Sequence, residues 1–261
     1  MSAHMYPGSV QAKARLLARA PFSGVFCQLG SAATVEVAAR AGFDCVLLDQ
    51  EHGLGGEDAT LAQLVAVAGT ACVPIVRLAA NETHLFKRAL DLGATGIMVP
   101  MVEDAAGAAR AVAAMHYPPR GVRGLAKTTR ATGFGASFDE YFEHAWSRLL
   151  LLVQVESARG VAAAADIAAV EGVDCLFVGP TDLGCSLAAG VPLPFDDARL
   201  VDARRAVADA ARAAGKAAGI LCATPAQVDT VRGEGFSVVF LGSDMAAAAA
   251  GLRDFACALA V

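Results

Sequence analysis

The sequence predicts an α/β fold, a (β/α)8 or TIM barrel in which eight parallel strands close into a cylinder surrounded by helices. Eight short apolar runs rich in β-forming residues recur along the chain, and segments with apolar residues at helical spacing separate them. The composition, 56% hydrophobic and 18% charged over 261 residues, indicates one large buried core. A doubly wound open sheet is the alternative.

The eight runs are apolar on both faces, which is typical of parallel strands covered by helices. We predict strands at residues 24–29, 43–49, 72–77, 95–100, 149–156, 174–179, 217–222 and 237–242. Helical spacing is clearest at residues 82–92, 103–116, 198–214 and 225–234. Because no linker divides the chain, we expect one barrel domain over residues 1–261, with an N-terminal extension of about residues 1–20.

Two stretches interrupt the alternation of strands and helices. Residues 117–147 include YPPRGVRG and FDEYFEHAW and are too long for one connection, so we expect an excursion over the active face with a short extra helix. Residues 187–195 contain Gly190, Pro192 and Pro194 and predict a turn-rich loop at the mouth of the site.

Charge, hydropathy and cysteine usage exclude several classes of protein. The net charge of −5 argues against a nucleic-acid-binding protein. The uncharged residues 59–76 are interrupted by Gly69 and Pro74, which predicts a helix and a strand rather than a membrane span. Seven cysteines without a CxxC pair, and no apolar segment of a secretory signal, indicate a reducing cytoplasm. We therefore expect a cytoplasmic protein that acts on small molecules.

The candidate site is formed by polar residues at the ends of predicted strands, because barrel enzymes hold their reactive groups at the carboxyl ends of strands. The second strand ends at Asp49, with Glu51 and His52 after it, and the third ends at Arg77. The fifth and sixth strands end near Gln154, Glu156, Gly179, Thr181 and Asp182. All of these residues are expected on one rim.

Glu156 and Asp182 are about one strand–helix unit apart, so their carboxylates are expected on neighbouring strand ends. Two carboxylates without a cluster of cysteine or histidine suit a hard divalent ion such as Mg²⁺ or Mn²⁺. The alternative is that each acid is a helix N-cap or a surface charge.

His52 is the one histidine that follows a strand end, since His4 falls in a tail and the other three fall in helical or aromatic segments. Its imidazole suits a general acid or base, although a loop histidine bonded to a backbone carbonyl is the alternative. Arg77 ends an apolar strand and needs an anionic partner, so it is a candidate for stabilising an oxyanion. The first amides of GPTDLG, at Thr181 and Asp182, are placed to bind a carboxylate.

Two kinds of chemistry are disfavoured by the sequence. None of the four lysines lies inside a predicted strand, so a Schiff-base mechanism is not expected. The glycines of GLGG lack the spacing of a dinucleotide fingerprint, so no nucleotide site is expected.

Several motifs occur in the order found in one family of enzymes: LLDQEHG, PIVRLAANE, LDLGATGIMVPMVEDA, YPPRGVRG, LLVQVES and FVGPTDLGCSLAAG. Over residues 24–252 the chain resembles the metal-dependent (class II) pyruvate aldolases of the HpcH/HpaI family. These enzymes include 4-hydroxy-2-oxoheptanedioate and 2-dehydro-3-deoxyglucarate aldolases. The resemblance implies reversible cleavage of a 4-hydroxy-2-oxo acid to pyruvate and an aldehyde.

The resemblance also implies roles for individual residues. Glu156 and Asp182 would bind the metal, which is Mg²⁺ or Mn²⁺, with Co²⁺ a further option. His52 would be the base, Arg77 would stabilise the enolate, and Asp49 would belong to the same cluster. The pyruvate moiety would contact Gln154, Gly179, Thr181, Asp182 and Arg77.

The resemblance further implies an oligomer, a hexamer that exchanges C-terminal helices between subunits. Asp91 would raise the basicity of His52; because Asp91 lies on a predicted helix, this role needs a neighbouring subunit. The loop DQEHGLGG and the segment LAKTTRATGFG depart from the family pattern, which leaves the aldehyde open. A phosphorylated aldehyde is disfavoured because Asp244 follows the eighth strand, where barrels often bind phosphate.

Two other functions remain open at this point. A CoA-ester lyase of the malyl or citramalyl type would need a basic groove, for which the candidates are Arg120, Arg123, Lys127 and Arg130. A non-catalytic barrel that binds a 2-oxo acid as a signal is the second alternative.

Overall fold

The computed structural model describes residues 9–259 and contains a closed barrel of eight parallel strands in sequential order. The first and last strands pair through Phe22 and Val238, so the predicted barrel is confirmed and an open sheet is excluded. The strands are β1 Phe22–Cys27, β2 Cys45–Asp49, β3 Val73–Arg77, β4 Gly96–Val99, β5 Leu150–Val155, β6 Cys175–Val178, β7 Ala217–Cys222 and β8 Val238–Ser243.

Helices surround the barrel and connect its strands. The predicted helices at residues 82–92, 103–116, 198–214 and 225–234 are present within two residues of their expected ends. Within the described residues the helices are α1 Ser9–Leu17, α2 Ala32–Arg40, α3 Glu57–Val67, α4 Thr83–Leu92, α5 Ala105–Met115, α6 Phe138–Arg148, α7 Ala158–Ala162, α8 Ala164–Ala169, α9 Pro180–Leu187, α10 Ala198–Ala213, α11 Pro225–Gly233 and α12 Asp244–Leu259.

Three aromatic rings pack against one another in the barrel interior, among the aliphatic side chains of the inner face of the strands. Phe240 packs edge-on against Phe177 and Phe26, with ring centroids 5.2 and 5.7 Å away. Two strand glycines make room for these rings. A Cβ at Gly24 would lie 2.6 Å from Phe240, and one at Gly219 would lie 2.5 Å from Phe177. The inside of the barrel is therefore packed core, and a ligand has space only at its ends.

The amino end of the barrel is closed by α1, which lies within the predicted N-terminal extension. Leu16 is fully buried against the residues of the barrel interior. Lys13 donates hydrogen bonds to the Leu149 carbonyl at 2.5 Å and to the Asp174 carboxylate at 3.1 Å. His4 lies outside the described residues. The open end of the barrel is therefore the carboxyl end of the strands.

The long segment at residues 117–147 contains the expected short helix, but its expected position over the active face is wrong for this chain. The segment leaves α5 and enters β5, so it lies at the amino ends of the strands. There α6 contacts α1, and Arg130 donates to the Leu92 carbonyl at the end of α4. The physical reason is topological, because every connection from a helix to the next strand lies at the amino end of the barrel.

Residues 59–76, the loop at residues 187–195 and the cysteines are the remaining features that the sequence singles out. The uncharged residues 59–76 form most of α3, a turn and most of β3. No helix within residues 9–259 is long and apolar enough to cross a membrane. Residues 187–195 form the expected loop at the mouth, where Pro192, Leu193 and Phe195 line a cavity. All seven cysteines are free, and five of them are buried.

Candidate active site

A cavity of about 570 Å³ lies at the carboxyl ends of the strands, above the ring of Phe177. The barrel brings six of the predicted residues to its lining: His52, Arg77, Gln154, Gly179, Thr181 and Asp182. Two more predicted residues, Asp49 and Glu156, are buried directly against this set through hydrogen bonds to Arg77 and Gln154. The predicted rim is thus present as a single cluster.

Arg77 is held rigidly by a paired carboxylate. Its Nε and Nη2 donate to the two oxygens of Asp49, at 2.9 and 2.6 Å, in the two-pronged geometry that suits guanidinium and carboxylate. Asp49 also accepts the backbone amide of His52 at 3.2 Å and the side-chain amide of Gln28 at 3.0 Å. Burial acts to raise the pKa of Asp49, but the bonds and charge of Arg77 outweigh it and hold that pKa below its usual value. Asp49 therefore stays ionised and orients Arg77.

Glu51 is a member of the site to which sequence reasoning gave no role. Its carboxylate lies 3.0 Å from Nη1 of Arg77 and 3.9 Å from Nε2 of His52. The charge of Glu51 raises the pKa of Glu156, and the charge of Asp182 in turn raises the pKa of Glu51. The signal was its place directly after a strand end in the run DQEH, but the sequence does not show which way a loop side chain points.

Glu156 is a buried carboxyl group with an unusual electrostatic environment. Its Oε1 accepts the backbone amide of Met101 at 2.8 Å, and its Oε2 accepts Nε2 of Gln154 at 2.8 Å. Burial raises its pKa to about 7, against the effect of the Met101 amide, and the charges of Asp182 and Glu51 add to the rise. The site therefore gathers the carboxyl groups of Glu156, Asp182 and Glu51, and the charge of Arg77 offsets only part of their effect on Glu156.

Three features show that a divalent cation fits here. Oε1 of Gln154 is buried without a hydrogen-bond partner in the described part of the chain. A Cβ at Gly179 would lie 2.3 Å from Oε2 of Glu156, so only glycine leaves space around that oxygen. Glu156 directly follows β5 and Asp182 lies in the first turn of α9 after β6, and the charge of Asp182 acts on Glu156. Two carboxylates suit an ion that keeps positions for substrate and water. Residues 9–259 contain no group of three or more His, Cys, Asp or Glu side chains arranged to hold a metal.

The helix after β6 contributes backbone donors. Gly179 is the N-cap of α9, and Pro180 occupies its first turn, where the missing amide hydrogen costs nothing. The amides of Thr181 and Asp182 belong to this first turn and have no carbonyl to bond within the helix. They are suited to bind a carboxylate at the helix N-terminus.

His52 lies at the outer edge of the cavity. Its side chain is 62% exposed in the single chain, and its Nε2 lies 3.9 Å from the carboxylate of Glu51. The ring is therefore accessible to a substrate and has room to reorient.

The barrel and the residues at its rim agree with a comparison of the sequence with known protein families. The sequence profile of the HpcH/HpaI aldolase/citrate lyase family matches residues 23–250. The chain belongs to this family.

Relatives within the HpcH/HpaI family align with most of the chain. A hydroxypyruvate/pyruvate aldolase from Delftia acidovorans is 44% identical over 210 residues, covering 80% of this chain and 77% of the relative. A 5-keto-4-deoxy-D-glucarate aldolase from Shigella boydii is 38% identical over 236 residues, covering 89% and 90%. A crystal structure of a family protein from Burkholderia cenocepacia superposes with a TM-score of 0.90 at 36% identity, covering 95% of this chain and 98% of that one.

One residue of the predicted set is not brought to the cavity by this HpcH/HpaI chain. Asp91 lies on α4 and accepts a hydrogen bond from Arg123 at 2.7 Å. Arg123 is itself buried, and it packs over the ring of Tyr117 and binds the hydroxyl of Tyr141. Any role of Asp91 in catalysis therefore requires a second subunit.

The candidate basic groove for a nucleotide is also not formed. Arg123 is buried with Asp91, and Arg120 stacks on Trp146 at 4.0 Å. Both belong to the segment at the amino end of the barrel, away from the cavity. In the described chain these cations therefore do not form a groove next to Arg77 and Asp182.

Proposed function

We propose that this chain is a pyruvate aldolase, a carbon–carbon lyase that reversibly cleaves a 4-hydroxy-2-oxo acid to pyruvate and an aldehyde with the help of Mg²⁺ or Mn²⁺. The observation that carries the proposal is the buried carboxyl group of Glu156, which lies beside Asp182 and an unpartnered oxygen of Gln154 at the rim of the barrel. The aldolase relatives support the reaction class.

Glu156 and Asp182 are the residues that would hold the ion. When bound, the ion supplies positive charge near the 2-oxo oxygen of the substrate, where negative charge develops as the bond breaks. The amides of Thr181 and Asp182 orient the substrate carboxylate, and Gln154 offers its amide to the same half of the substrate.

His52 moves the proton in the proposed reaction. Its imidazole accepts the proton of the C4 hydroxyl, so that this oxygen becomes the aldehyde carbonyl while the C3–C4 bond breaks and its electron pair passes to the pyruvate half. Arg77, fixed by Asp49 and Glu51, provides a positive charge that stabilises the enolate oxygen. Protonation of C3 then gives pyruvate.

We propose that the enzyme works as a homo-oligomer, a hexamer with exchanged C-terminal helices, in the cytoplasm. In support, α12 has no buried residue within the single chain, and its apolar residues Leu252, Phe255 and Leu259 are exposed. In such an assembly Asp91 of the partner subunit is the candidate to orient His52. The free, mostly buried cysteines suit a reducing compartment.

The test is pyruvate release from a panel of 4-hydroxy-2-oxo acids with Mn²⁺ and after complete removal of metal by EDTA. We expect release that stops without metal and returns when Mn²⁺ is added. Exchange of the C3 hydrogens of pyruvate in D₂O, followed by NMR, checks enolate formation without any aldehyde. Release that persists after complete metal removal contradicts the proposed mechanism, and tight oxalate binding with no exchange indicates a non-catalytic barrel.

A further inference from the structure

The cavity extends beyond the residues that we assign to pyruvate, and we propose that this outer part binds an uncharged aldehyde, with neither a carboxylate nor a phosphate on its body. The inference rests on the proposed function and narrows its substrate to a 4-hydroxy-2-oxo monoacid. At about 570 Å³ the cavity is larger than pyruvate alone occupies. Its walls therefore determine which aldehydes bind.

One side of the cavity is apolar. Leu221 lies in β7, and Leu193 and Phe195 belong to the loop that follows α9. By strand order these residues lie on the β6–β8 side of the rim, whereas Arg77 and His52 belong to the β2–β3 side. A carboxylate or phosphate against this apolar wall would lose its hydration without gaining a cation as partner, which is unfavourable.

No lysine or arginine of residues 9–259 lines the apolar side of the cavity. Among the lining residues of the described chain, Arg77 is the one lysine or arginine, and its guanidinium is bound by Asp49 and Glu51. Arg204 lies behind the wall, 4.3 Å from the ring of Phe195, but it is 2% exposed and pairs with Glu234. Arg77 is assigned to the enolate oxygen on the β2–β3 side, and Arg204 is buried in its ion pair. Within residues 9–259 the apolar side therefore offers no cation to an anionic group of the aldehyde.

The position where barrels often bind phosphate is filled by a side chain of the protein. The carboxylate of Asp244, directly after β8, accepts the backbone amides of Gln28 at 2.7 Å, Leu29 at 3.3 Å and Met245 at 2.8 Å. These three amides, two after β1 and one in the first turn of α12, are therefore occupied by the Asp244 carboxylate and are not free to bind a phosphate. The carboxylate of Asp244 already occupies this position, so a phosphate group of the aldehyde would meet both a filled position and a negative charge.

The polar groups that remain on this side are neutral. Oε1 of Gln227 accepts the amides of Ala223 and Thr224, at 2.8 and 3.2 Å, which leaves its NH₂ group as the donor. Ser243 accepts the amide of Ala246, and its hydroxyl hydrogen is available to donate. Both residues line the cavity and suit a hydroxyl or carbonyl oxygen of the aldehyde.

The experiment compares aldol addition of pyruvate, with Mn²⁺ present, to pairs of aldehydes that have the same number of carbon atoms, one member of each pair carrying an anionic group. The pairs are butanal with 4-oxobutanoate, and glyceraldehyde with glyceraldehyde 3-phosphate. We expect kcat/KM for the uncharged member of each pair to be higher by at least about tenfold. Equal or higher kcat/KM for the charged members overturns the inference.

A charge-insertion variant tests the location of the aldehyde. Leu193→Lys places a cation in the apolar wall, and we expect the ratio of kcat/KM for 4-oxobutanoate to that for butanal to rise about tenfold. The matched control is Val191→Lys, two residues away on the same loop, 63% exposed and outside the cavity lining, for which the ratio should stay within about twofold. An unchanged ratio in Leu193→Lys overturns the assignment of this wall to the aldehyde.

The exchange of the C3 hydrogens of pyruvate distinguishes a failure of the inference about the aldehyde from a failure of the proposed aldolase function. If the wild-type chain exchanges these hydrogens in D₂O and nevertheless prefers charged aldehydes, the inference fails and the proposed function stands. If it shows neither exchange nor pyruvate release from any substrate, the proposed function fails and the inference falls with it.

Discussion

Glu51 lies between two side chains that the proposed reaction uses, the guanidinium of Arg77 and the imidazole of His52. Its carboxylate contacts the guanidinium of Arg77 at 3.0 Å and lies 3.9 Å from the imidazole of His52. Burial raises its pKa, although the positive charge of Arg77 acts against the rise. At this scale the site consists of coupled charges, and the effect of one residue depends on its neighbours.

We expect Glu51→Gln to lower kcat/KM for pyruvate release by about tenfold or more, because Arg77 loses an ionic partner and His52 loses its nearest carboxylate. Arg77 keeps both bonds to Asp49, so the free energy of unfolding should change by less than about 1 kcal/mol. The matched control is Glu57→Gln, which removes an exposed pair with Arg88 and should leave kcat/KM unchanged. Steady-state kinetics and urea unfolding measure both, and equal kinetics in the two variants contradict the role of Glu51.

Glu156 makes metal binding depend on pH. With a pKa of about 7 in the metal-free chain, the group carries a proton at pH 6 that the metal must displace. We expect the affinity for Mn²⁺, measured by electron paramagnetic resonance of the free ion, to rise about tenfold from pH 6 to pH 8 and to level off above that. Equal affinities at pH 6 and pH 8 rule out Glu156 as a ligand with this pKa.

The same shift has a consequence for stability. The folded-state pKa of Glu156 lies above its ordinary value of 4.5, so the protonated form favours folding. The metal-free chain therefore has the full contribution below about pH 4.5 and loses it as the pH rises through about 7. Bound metal offsets this loss, because the carboxylate then has a cation as partner.

At the scale of elements, the turn from β6 into α9 determines the shape of the site. Gly179 directly follows β6 and is the N-cap of α9. Because it has no side chain, it leaves space for the carboxylate of Glu156, which follows β5. The neighbouring strands β5 and β6 pair in parallel with Val155 opposite Val178, which brings the two strand ends to the same height. The position of the Glu156 carboxylate after β5 and the start of α9 after β6 therefore both depend on Gly179.

We expect Gly179→Ala to weaken Mn²⁺ binding by at least about tenfold, because the new methyl group would lie 2.3 Å from Oε2 of Glu156 and must displace it. The control is Gly233→Ala in α11, where a Cβ meets nothing within 4 Å and alanine should stabilise the helix by about 0.5–1 kcal/mol. Calorimetric titration with Mn²⁺ and thermal unfolding measure the two effects. Unaltered Mn²⁺ affinity in Gly179→Ala contradicts the assigned geometry.

At the scale of the whole molecule, the single chain leaves apolar side chains of its last helix exposed to solvent. The last helix, α12, contacts β1, β8 and α2 but buries none of its residues. Leu252, Phe255 and Leu259 are each more than 60% exposed along it. Exposed apolar residues grouped on one element mark a protein–protein contact.

We expect Phe255→Asp to lower the mass of the assembly in analytical ultracentrifugation, because a charge would be buried in the proposed subunit interface. Asp254→Asn, next to it on the same helix, is the control and should leave the mass unchanged. If activity needs Asp91 of the partner subunit, pyruvate release should fall together with the mass. A wild-type chain that sediments as a monomer contradicts the proposed assembly.

The sequence alone determined the fold class, the positions of the strands and the residues at the rim of the barrel, through hydrophobic periodicity and the polar residues at strand ends. Parallel strands buried on both faces must be apolar throughout, so all eight strands and the rim residues from Asp49 to Asp182 were predicted from local pattern. These features need no knowledge of distant contacts, because each one follows from the residues of a single strand and its flanking turn.

Only the tertiary structure decided which side chains meet. Closure of the barrel brings Glu51 to Arg77 and places Gly179 against Glu156, and within residues 9–259 it leaves Oε1 of Gln154 without a partner. It also places residues 117–147 at the amino end of the barrel rather than over the active face. The physical reason is that contacts between strand ends depend on strand register and on the direction of each loop side chain, which are fixed when the sheet closes and not by any single segment.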